Sequence, residues 1–264
     1  MSSANDAYAG IAAWYDVEHD PITEDVEAYA SLIADHAADA AQVIEIGAGS
    51  GRVAAALAVA GHSVTAVEPS APMRERFARR LAQLPERAAR RITVVGGSAE
   101  APGVAASAHF DVALLGQNML AHLPAPSQRL GALRTARAIL RPGGHLICDV
   151  DLLGPRRLLE TAHQLWWQGA WQVGDSTQVE HFVSGAAGVA PGTVELVHFY
   201  DVHPPGGPVA RTTARMTLAL LSKGEVETAL LAAGFEVAEV YGGYDLAPYE
   251  EGAARAIFDA LVGG

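Results

Sequence analysis

The stretch Val43-Ile44-Glu45-Ile46-Gly47-Ala48-Gly49-Ser50-Gly51-Arg52, followed by the Ala/Val/Leu-rich segment Val53 to Ala60, leaves this chain few ways to fold. An apolar, β-branched run ends in closely spaced glycines and passes into alanine-rich helical sequence. That is how a buried parallel strand hands over to a helix around a bound ligand. Gly47, Gly49 and Gly51 let the backbone come close to that ligand, where side chains would cost room or force strained φ values.

Two ligand classes use such a turn. The dinucleotide fingerprint sets its third glycine or alanine three residues after the second, and the helix N-terminus receives a pyrophosphate. Here that position is Arg52, and an NAD-dependent oxidoreductase would need Arg52 to accept close pyrophosphate packing. The glycines run G-x-G-x-G instead, with an acid, Glu45, two residues before the first. A carboxylate at a strand end suits a cationic amino-acid moiety, whose ammonium it pairs by charge-assisted hydrogen bonds. This points to S-adenosylmethionine rather than NAD. A second strand-like run, Ser63 to Val67, ends in Glu68, about 20 residues beyond the first glycine, where an acid can accept both ribose hydroxyls of either ligand.

The pattern E-x-G-x-G-x-G, then Ala66-Val67-Glu68-Pro69-Ser70 and Met73, resembles the class I S-adenosylmethionine-dependent methyltransferases. Gly97-Ser98-Ala99-Glu100 resembles the family's adenine-contacting turn. Phe110-Asp111-Val112 with Asn118 and His122-Leu123 resembles its fourth-strand motif, and Leu140 to Leu146 its turn into the fifth strand. The resemblance covers about residues 8 to 150 and resumes from 222 to the end. It implies a Rossmann-like α/β fold, a seven-stranded, mostly parallel sheet with helices on both faces, and S-adenosylmethionine as cofactor. It does not imply the substrate. Carried over residue by residue, Glu45 and the backbone of Gly47, Ala48, Gly49 and Gly51 would hold the methionine part, with Glu68 and Pro69 at the ribose. Ser98, Ala99 and Glu100 would line the adenine edge and Met73 its face, while Gly116 and Gln117 would border the cofactor from the end of the fourth strand.

Composition bounds the rest. The 264 residues are 50% hydrophobic and 18% charged with a formal net charge of −12, so the chain is globular and long enough for a sizeable core. Nucleic-acid affinity rests largely on Lys/Arg neutralising phosphates, so no nucleic-acid partner is expected; the Arg-rich stretch Arg74 to Arg91 reads as a solvated helix face. The single cysteine, Cys148, cannot form an intrachain disulfide, and no Cys/His cluster has zinc-site spacing. Neither a secretory signal nor a membrane-spanning apolar segment is legible. The expectation is a cytoplasmic protein without membrane or metal, with a small-molecule acceptor as partner; a homodimer is left open.

Along the chain, residues 6 to 16 place Tyr8, Ile11, Ala12 and Tyr15 at near-helical spacing, and Thr23 to Ala38 reads as a second helix. Strands and helices then alternate through 42–46, 52–60, 63–67, 72–83, 91–95, 110–115, 127–140 and 144–150, which implies a parallel sheet with right-handed crossovers. Glu45, Glu68, Ser98 and Gly116 all fall at carboxyl ends of strands, where such sheets bind ligands. After Val150 the pattern changes to a short helical piece and then runs at Gln178–Ser184, Thr193–Tyr200 and Ala210–Leu220, separated by Gly/Pro clusters. These read as antiparallel strands. Ser222 with Glu225 forms a capping box for a helix ending at Gly234, followed by a strand at Phe235–Tyr241. Arg255 to Leu261 suits a helix locally, whereas the resemblance implies a final antiparallel strand, which is the reading adopted. The expected organisation is therefore 1–40 as N-terminal helices covering the site, 41–150 as the cofactor-binding core, 151–221 as an antiparallel β-rich lid over the substrate, and 222–264 as completion of the core.

A methyl carbon on a sulfonium is already electrophilic, so the protein's tasks are to align the nucleophile and, where it carries a proton, to remove it. His122, after the fourth strand, is the candidate base or orienting group, helped by Tyr15, which the resemblance implies closes over cofactor or substrate. Asn118 joins these as a substrate contact. Trp166 and Trp167 are read as an aromatic pocket wall, against the alternative that they, with Trp171, pack a small sheet. His163, His181, His198 and His203 lie in the insertion, where one could face substrate. Asp149 and Asp151, at the end of the fifth strand, could reach the acceptor, and Asp111 reads as structural. The reading is methyl transfer to an oxygen or nitrogen of a small organic acceptor. The alternatives are an RNA or protein methyltransferase, and a protein that binds S-adenosylmethionine without transferring its methyl.

Overall fold

A computed structural model describes residues 6–36, 40–105, 109–174 and 176–263. Its main sheet contains β1 (Gln42–Ile46), β2 (Ser63–Val67), β3 (Ile92–Val95), β4 (Phe110–Leu115), β5 (Leu140–Asp151), β10 (Phe235–Tyr241) and β11 (Arg255–Val262). They lie in the order β10-β11-β5-β4-β1-β2-β3, with β11 antiparallel to both its neighbours and the remaining pairs parallel. The strand reading of Arg255 to Leu261 holds, against the local helical preference of its sequence. Wedged between β5 and β10, this segment satisfies its backbone groups on both edges, a tertiary gain that outweighs local propensity.

The period of two along each strand sorts the apolar side chains into two cores. Ile44, Ile46, Ala113, Leu115, Leu146 and Cys148 pack on one face against α6 (Pro126–Ile139) and α8 (Lys223–Ala233). Val43, Val64, Val112, Leu114 and Ile147 pack on the other against α2 (Glu24–His36), α3 (Arg52–Ala60) and Phe77 of α4 (Ala71–Leu81). α8 carries the expected capping box and ends at Gly234 with φ +90°. Strand order reverses between β1 and its neighbours β2 and β4, which opens a crevice at the carboxyl ends of those strands.

Two local features depart from expectation, at the first helix and before β3. The first helix, α1, spans Ala12–His19 rather than residues 6 to 16: Tyr8 sits in a preceding turn, its amide held by the Asp6 side chain, and the helix continues past Asp16 until Pro21 can no longer extend it. α2 is described only to His36, so the expected end at Ala38 lies outside the described residues. Between α4 and β3 a short helix, α5 (Glu86–Ala89), was not anticipated.

After β5 and a short helix, α7 (Gly154–Glu160), a separate four-stranded antiparallel sheet runs β6-β7-β8-β9, from β6 (Trp166–Val173), β7 (Thr177–Ala187), β8 (Thr193–His203) and β9 (Ala210–Ala219). β6 was not foreseen as a strand, because on this edge its residues are mostly solvent-facing and give no clean alternation. Register places Val179, His181 and Val183 on the same face as Tyr200, His198 and Ala214. Val179, Tyr200 and Ala214 pack there with Ile11 and, beside them, Tyr8 and Trp14, while Val183, Leu196 and Leu218 join the larger core. The second sheet thus lies on α1 and the turn before it. Among the described residues, no helix is long and apolar enough to cross a membrane.

Candidate active site

The loop leaving β1 carries positive φ at Gly47 (+84°), Gly49 (+58°) and Gly51 (+83°). At Gly51 a Cβ would stand 2.2 Å from the Phe77 ring, and at Gly47 one would stand 2.9 Å from Met119 Cγ. The glycines are therefore demanded both by conformation and by close packing. The loop encloses a cleft bordered by Glu45, Gly47, Ser50, Tyr15, Gly116 and Gln117.

Glu45 enters this cleft from a strand buried on both faces, and its Oε2 is buried without a hydrogen-bond partner among the described residues. Burial pushes its carboxyl up to about 8, against the pull of the nearby Arg52 guanidinium. A buried carboxylate left bare is costly, so the site is arranged for a cationic partner. Arg52 does not supply the contact, because it is committed to Asp25 by hydrogen bonds of 2.8 and 2.5 Å and to the Ile22 carbonyl at 2.6 Å. The unpaired oxygen of Glu45 and a glycine cradle that side chains would fill both fit the methionine end of S-adenosylmethionine.

Glu68 ends β2 with its oxygens turned inward to the loops. Oε2 accepts from the Gly49 amide at 2.8 Å and Oε1 from the Ser70 amide at 2.7 Å. Burial raises its pKa while these two amides oppose the rise. Each oxygen keeps a further lone pair, so the carboxylate that would meet the ribose also fixes the glycine loop to the β2 turn. Pro69 follows, its carbonyl accepting from Arg74 at 2.7 Å. Met73 is buried against the loop, its Cε 3.4 Å from where a Gly49 Cβ would be. Ser98 and Ala101 exchange backbone hydrogen bonds of 3.0 and 3.1 Å in a tight turn, and Ala99 is buried in the larger core. Glu100 lies apart from these: its Oε1 sits 3.2 Å from the Cβ position of Gly131 on α6.

At the end of β4 the chain makes an unusual turn. Gln117 (φ +52°) and Asn118 (φ +61°) are successive non-glycine residues in left-handed conformation, a strained arrangement that persists only where neighbours over-determine it. The neighbours do so. Tyr29 Oη accepts from the Gln117 amide at 2.9 Å, Asp25 from Gln117 Nε2 at 2.6 Å, and Asn118 Oδ1 from the Asp151 amide at 3.1 Å. Tyr15 donates to Gln117 Oε1 at 3.4 Å, lies 3.8 Å from the Gly49 Cβ position and stacks on His19 at 3.9 Å. The first helix thereby lays an aromatic ring over the loop.

Asp149 and Asp151 are not free to meet an acceptor. Asp149 is fully buried and accepts from Tyr29 at 2.8 Å, Tyr244 at 3.2 Å and the Asn118 amide at 3.3 Å, and it pairs with Arg255. Asp151 accepts from the Leu153 and Gly154 amides at the start of α7. Asp111, the second residue of β4, accepts from the Gln42 amide at 2.7 Å and pairs with Arg141 at 2.6 Å, a structural role as expected. Of the two tryptophans, Trp167 parts from the pocket-wall reading. Trp167 shares a register with Phe182 on the outer face of the small sheet and is 60% exposed, while Trp166 donates from its indole to Thr161 Oγ1 at 2.9 Å and is 43% exposed. Trp166 and Trp171 both take inner-face register, opposite Val183 and Val179, and Trp171 lies 6.4 Å from the His181 ring.

His122 ends the 3-10 turn Met119–His122 with its Nε2 3.3 Å from Tyr8 Oη. Burial alone lowers it to about 4, so it is neutral at physiological pH. Facing it from the small sheet is a group only partly legible from the chain's pattern. His181 Nδ1 lies 2.9 Å from Glu18 Oε1, His181 Nε2 lies 2.9 Å from His198 Nδ1, and Tyr200 donates to Glu18 Oε2 at 2.8 Å. Glu18 and Tyr200 were missed. The available signals were Glu18 one helical turn after Tyr15, and His198 and Tyr200 two apart on one strand face.

The family model described as "Methyltransferase domain" matches residues 44–146. None of the curated proteins matches the sequence significantly. Among solved structures, the CcbJ methyltransferase from Streptomyces caelestis is 23% identical with a TM-score of 0.75, covering 91% of this chain and 90% of its own. DesVI from Streptomyces venezuelae is 19% identical with a TM-score of 0.73, covering 96% and 98%. S-adenosylmethionine-bound CalS10, an amino pentose methyltransferase from Micromonospora echinaspora involved in calicheamicin biosynthesis, is 18% identical with a TM-score of 0.71, covering 94% and 96%. Residues 44–146, from β1 through the glycine loop into β5, thus match a methyltransferase domain, and the chain shares the fold of these methyltransferases over nearly its whole length.

Proposed function

We propose that the protein transfers a methyl group to a nitrogen of a small, sugar-like amine, with a hydroxyl oxygen as the second reading. The observation that carries the methyl-donor half is the bare, buried oxygen of Glu45 beside the glycine loop. The acceptor half is supported by the likeness to CalS10, an amino pentose methyltransferase, and by the second sheet lying on α1. S-adenosylmethionine, when bound, supplies a methyl carbon made electrophilic by the adjacent sulfonium.

This chain's residues do the rest. Glu45 and the Gly47–Gly49 backbone hold the amino-acid end, Glu68 the ribose, and Met73 with Ser98 and Ala99 the adenine. Tyr15 closes over the loop and keeps water out. Asn118 and His122 border the acceptor, and neutral His122 can accept a hydrogen bond from it. Residues 151–221 act as the lid, and residues 1–40 as the cover beneath it. The net charge of −12 speaks against an RNA acceptor. The single cysteine, buried Cys148, fits a reducing, cytoplasmic setting.

The test is incubation with methyl-labelled S-adenosylmethionine and a fractionated cell extract, with Glu68→Ala as control. Label in the small-molecule fraction, lost in the control, is the expected result. Label in RNA or protein instead would overturn the acceptor class.

A further inference from the structure

The small sheet carries a polar chain whose proton positions follow from its geometry. Ionised Glu18 can only accept, so His181 donates to it from Nδ1, the 2.9 Å contact. If His181 carries no second proton, its Nε2 offers only a lone pair, and the 2.9 Å contact there then has His198 donating from Nδ1. The consequence is a fixed tautomer for His198, with a lone pair at Nε2. That atom is buried and has no hydrogen-bond partner among the described residues. Tyr200 reinforces the arrangement by donating to the other oxygen of Glu18 and stacking on His181 at 4.3 Å.

The surroundings identify what the lone pair faces. His198 stands on the inner face of the sheet, across from Val183 and Ala214, and Ala214 packs with Ile11 before α1. The titratable groups near enough to bear on it are His181 from its own sheet, Glu18 and His19 from α1, and His122 from the 3-10 turn. His198 therefore shares with His122 the space between sheet, first helix and the end of β4. An unpaired acceptor atom buried there is costly unless a donor arrives with a ligand.

We propose that His198 Nε2 is the atom that receives the proton-bearing nitrogen of the acceptor, with His181 and Glu18 as positioning residues that fix its tautomer and relay the proton outward. The inference rests on the methyl-transfer reading above, and it requires an acceptor carrying an N–H bond. A protonated amine gives its proton to His198 Nε2, the Nδ1 proton of His198 passes to His181 Nε2, and the Nδ1 proton of His181 passes to Glu18. Both imidazoles end neutral, Glu18 ends protonated, and the amine nitrogen regains its lone pair. That pair forms the bond to the methyl carbon while the electrons of the sulfur–methyl bond return to sulfur.

Nitrogen-15 NMR of the histidine-labelled full chain with S-adenosylhomocysteine tests the arrangement independently of turnover. His198 is expected with protonated Nδ1 and unprotonated Nε2, and in Glu18→Gln, whose amide can donate or accept, the other tautomer should appear. A His198 protonated at Nε2 in the wild-type chain overturns the proposal. In the labelling assay, His198→Gln and His198→Leu should bind S-adenosylhomocysteine within twofold of wild type yet transfer label about 10²-fold more slowly. Transfer at the wild-type rate overturns it. Wild-type protein that labels no small molecule would defeat the functional reading instead, while the tautomer still decides the histidine chain.

Discussion

Glu45 is where sequence, burial and chemistry meet in one side chain. A carboxyl pushed up to about 8 is largely protonated at neutral pH in the free protein, and a bound ammonium restores the charged form. Binding of S-adenosylhomocysteine near pH 7 should therefore release close to one proton from this site. Calorimetry in buffers of different ionisation enthalpy measures it, and in Glu45→Gln the release should vanish while affinity falls about tenfold or more, the scale of a lost charge-assisted hydrogen bond. Glu45 was legible in the sequence because an acid ending an apolar strand is anomalous, and Glu68 for the same reason. Glu18 was not, since an acid on a helix is ordinary until the fold brings two histidines and a tyrosine to it.

The β1–loop–α3 unit was readable almost to the residue. Its glycines, its apolar strand and its alanine-rich helix all point to the same local structure. Gly51→Ala tests how tightly that unit is drawn: φ +83° and the Phe77 ring 2.2 Å from the new Cβ should together cost about 3 kcal/mol, seen as a lower denaturation midpoint with unchanged slope. The second sheet was readable only in part. β7, β8 and β9 alternate and were found, whereas β6 is an edge with Gly169 and Ala170 inside it, and its tryptophans point where periodicity could not say. Which face a strand residue occupies depends on register, and β6 slips by one between Trp167 and Gly169. Trp167→Ala is accordingly expected to leave turnover at the wild-type rate and to change stability by less than about 0.5 kcal/mol.

For the whole molecule, buried titratable groups set opposite slopes of stability against pH. His122 and His198 are lowered to about 4, so from the unfolded value of about 6.5 downward the unfolded chain binds protons that the fold refuses, and stability falls as pH falls. Glu18, lowered by its partners His181 and Tyr200, adds to the loss in acid. Glu45 acts the other way: between its unfolded value and about 8 the fold holds a proton that the unfolded chain releases, so stability falls as pH rises. The thermal midpoint of the cofactor-free protein should peak at about pH 6.5. Glu45→Gln should flatten the alkaline side of that curve, and His198→Gln should shallow the acid side.

One helix, α1, is tied to both sheets of the molecule. α1 is tied to the core by Asp16, which accepts from Arg76 at 2.7 Å and Arg80 at 3.1 Å, and two residues later it is tied to the small sheet by Glu18. Immediately before these anchors Tyr15 covers the glycine loop. Exchange of the nucleoside ligand is therefore expected to require α1 to lift, at a rate set by the weaker tether. The Asp16 pairs are partly exposed and screened by salt, while the Glu18 contacts are more deeply buried. Raising ionic strength should speed release of S-adenosylhomocysteine in stopped-flow measurements, and Asp16→Asn should reproduce that speed at low salt, making the helix a latch whose grip depends on the medium.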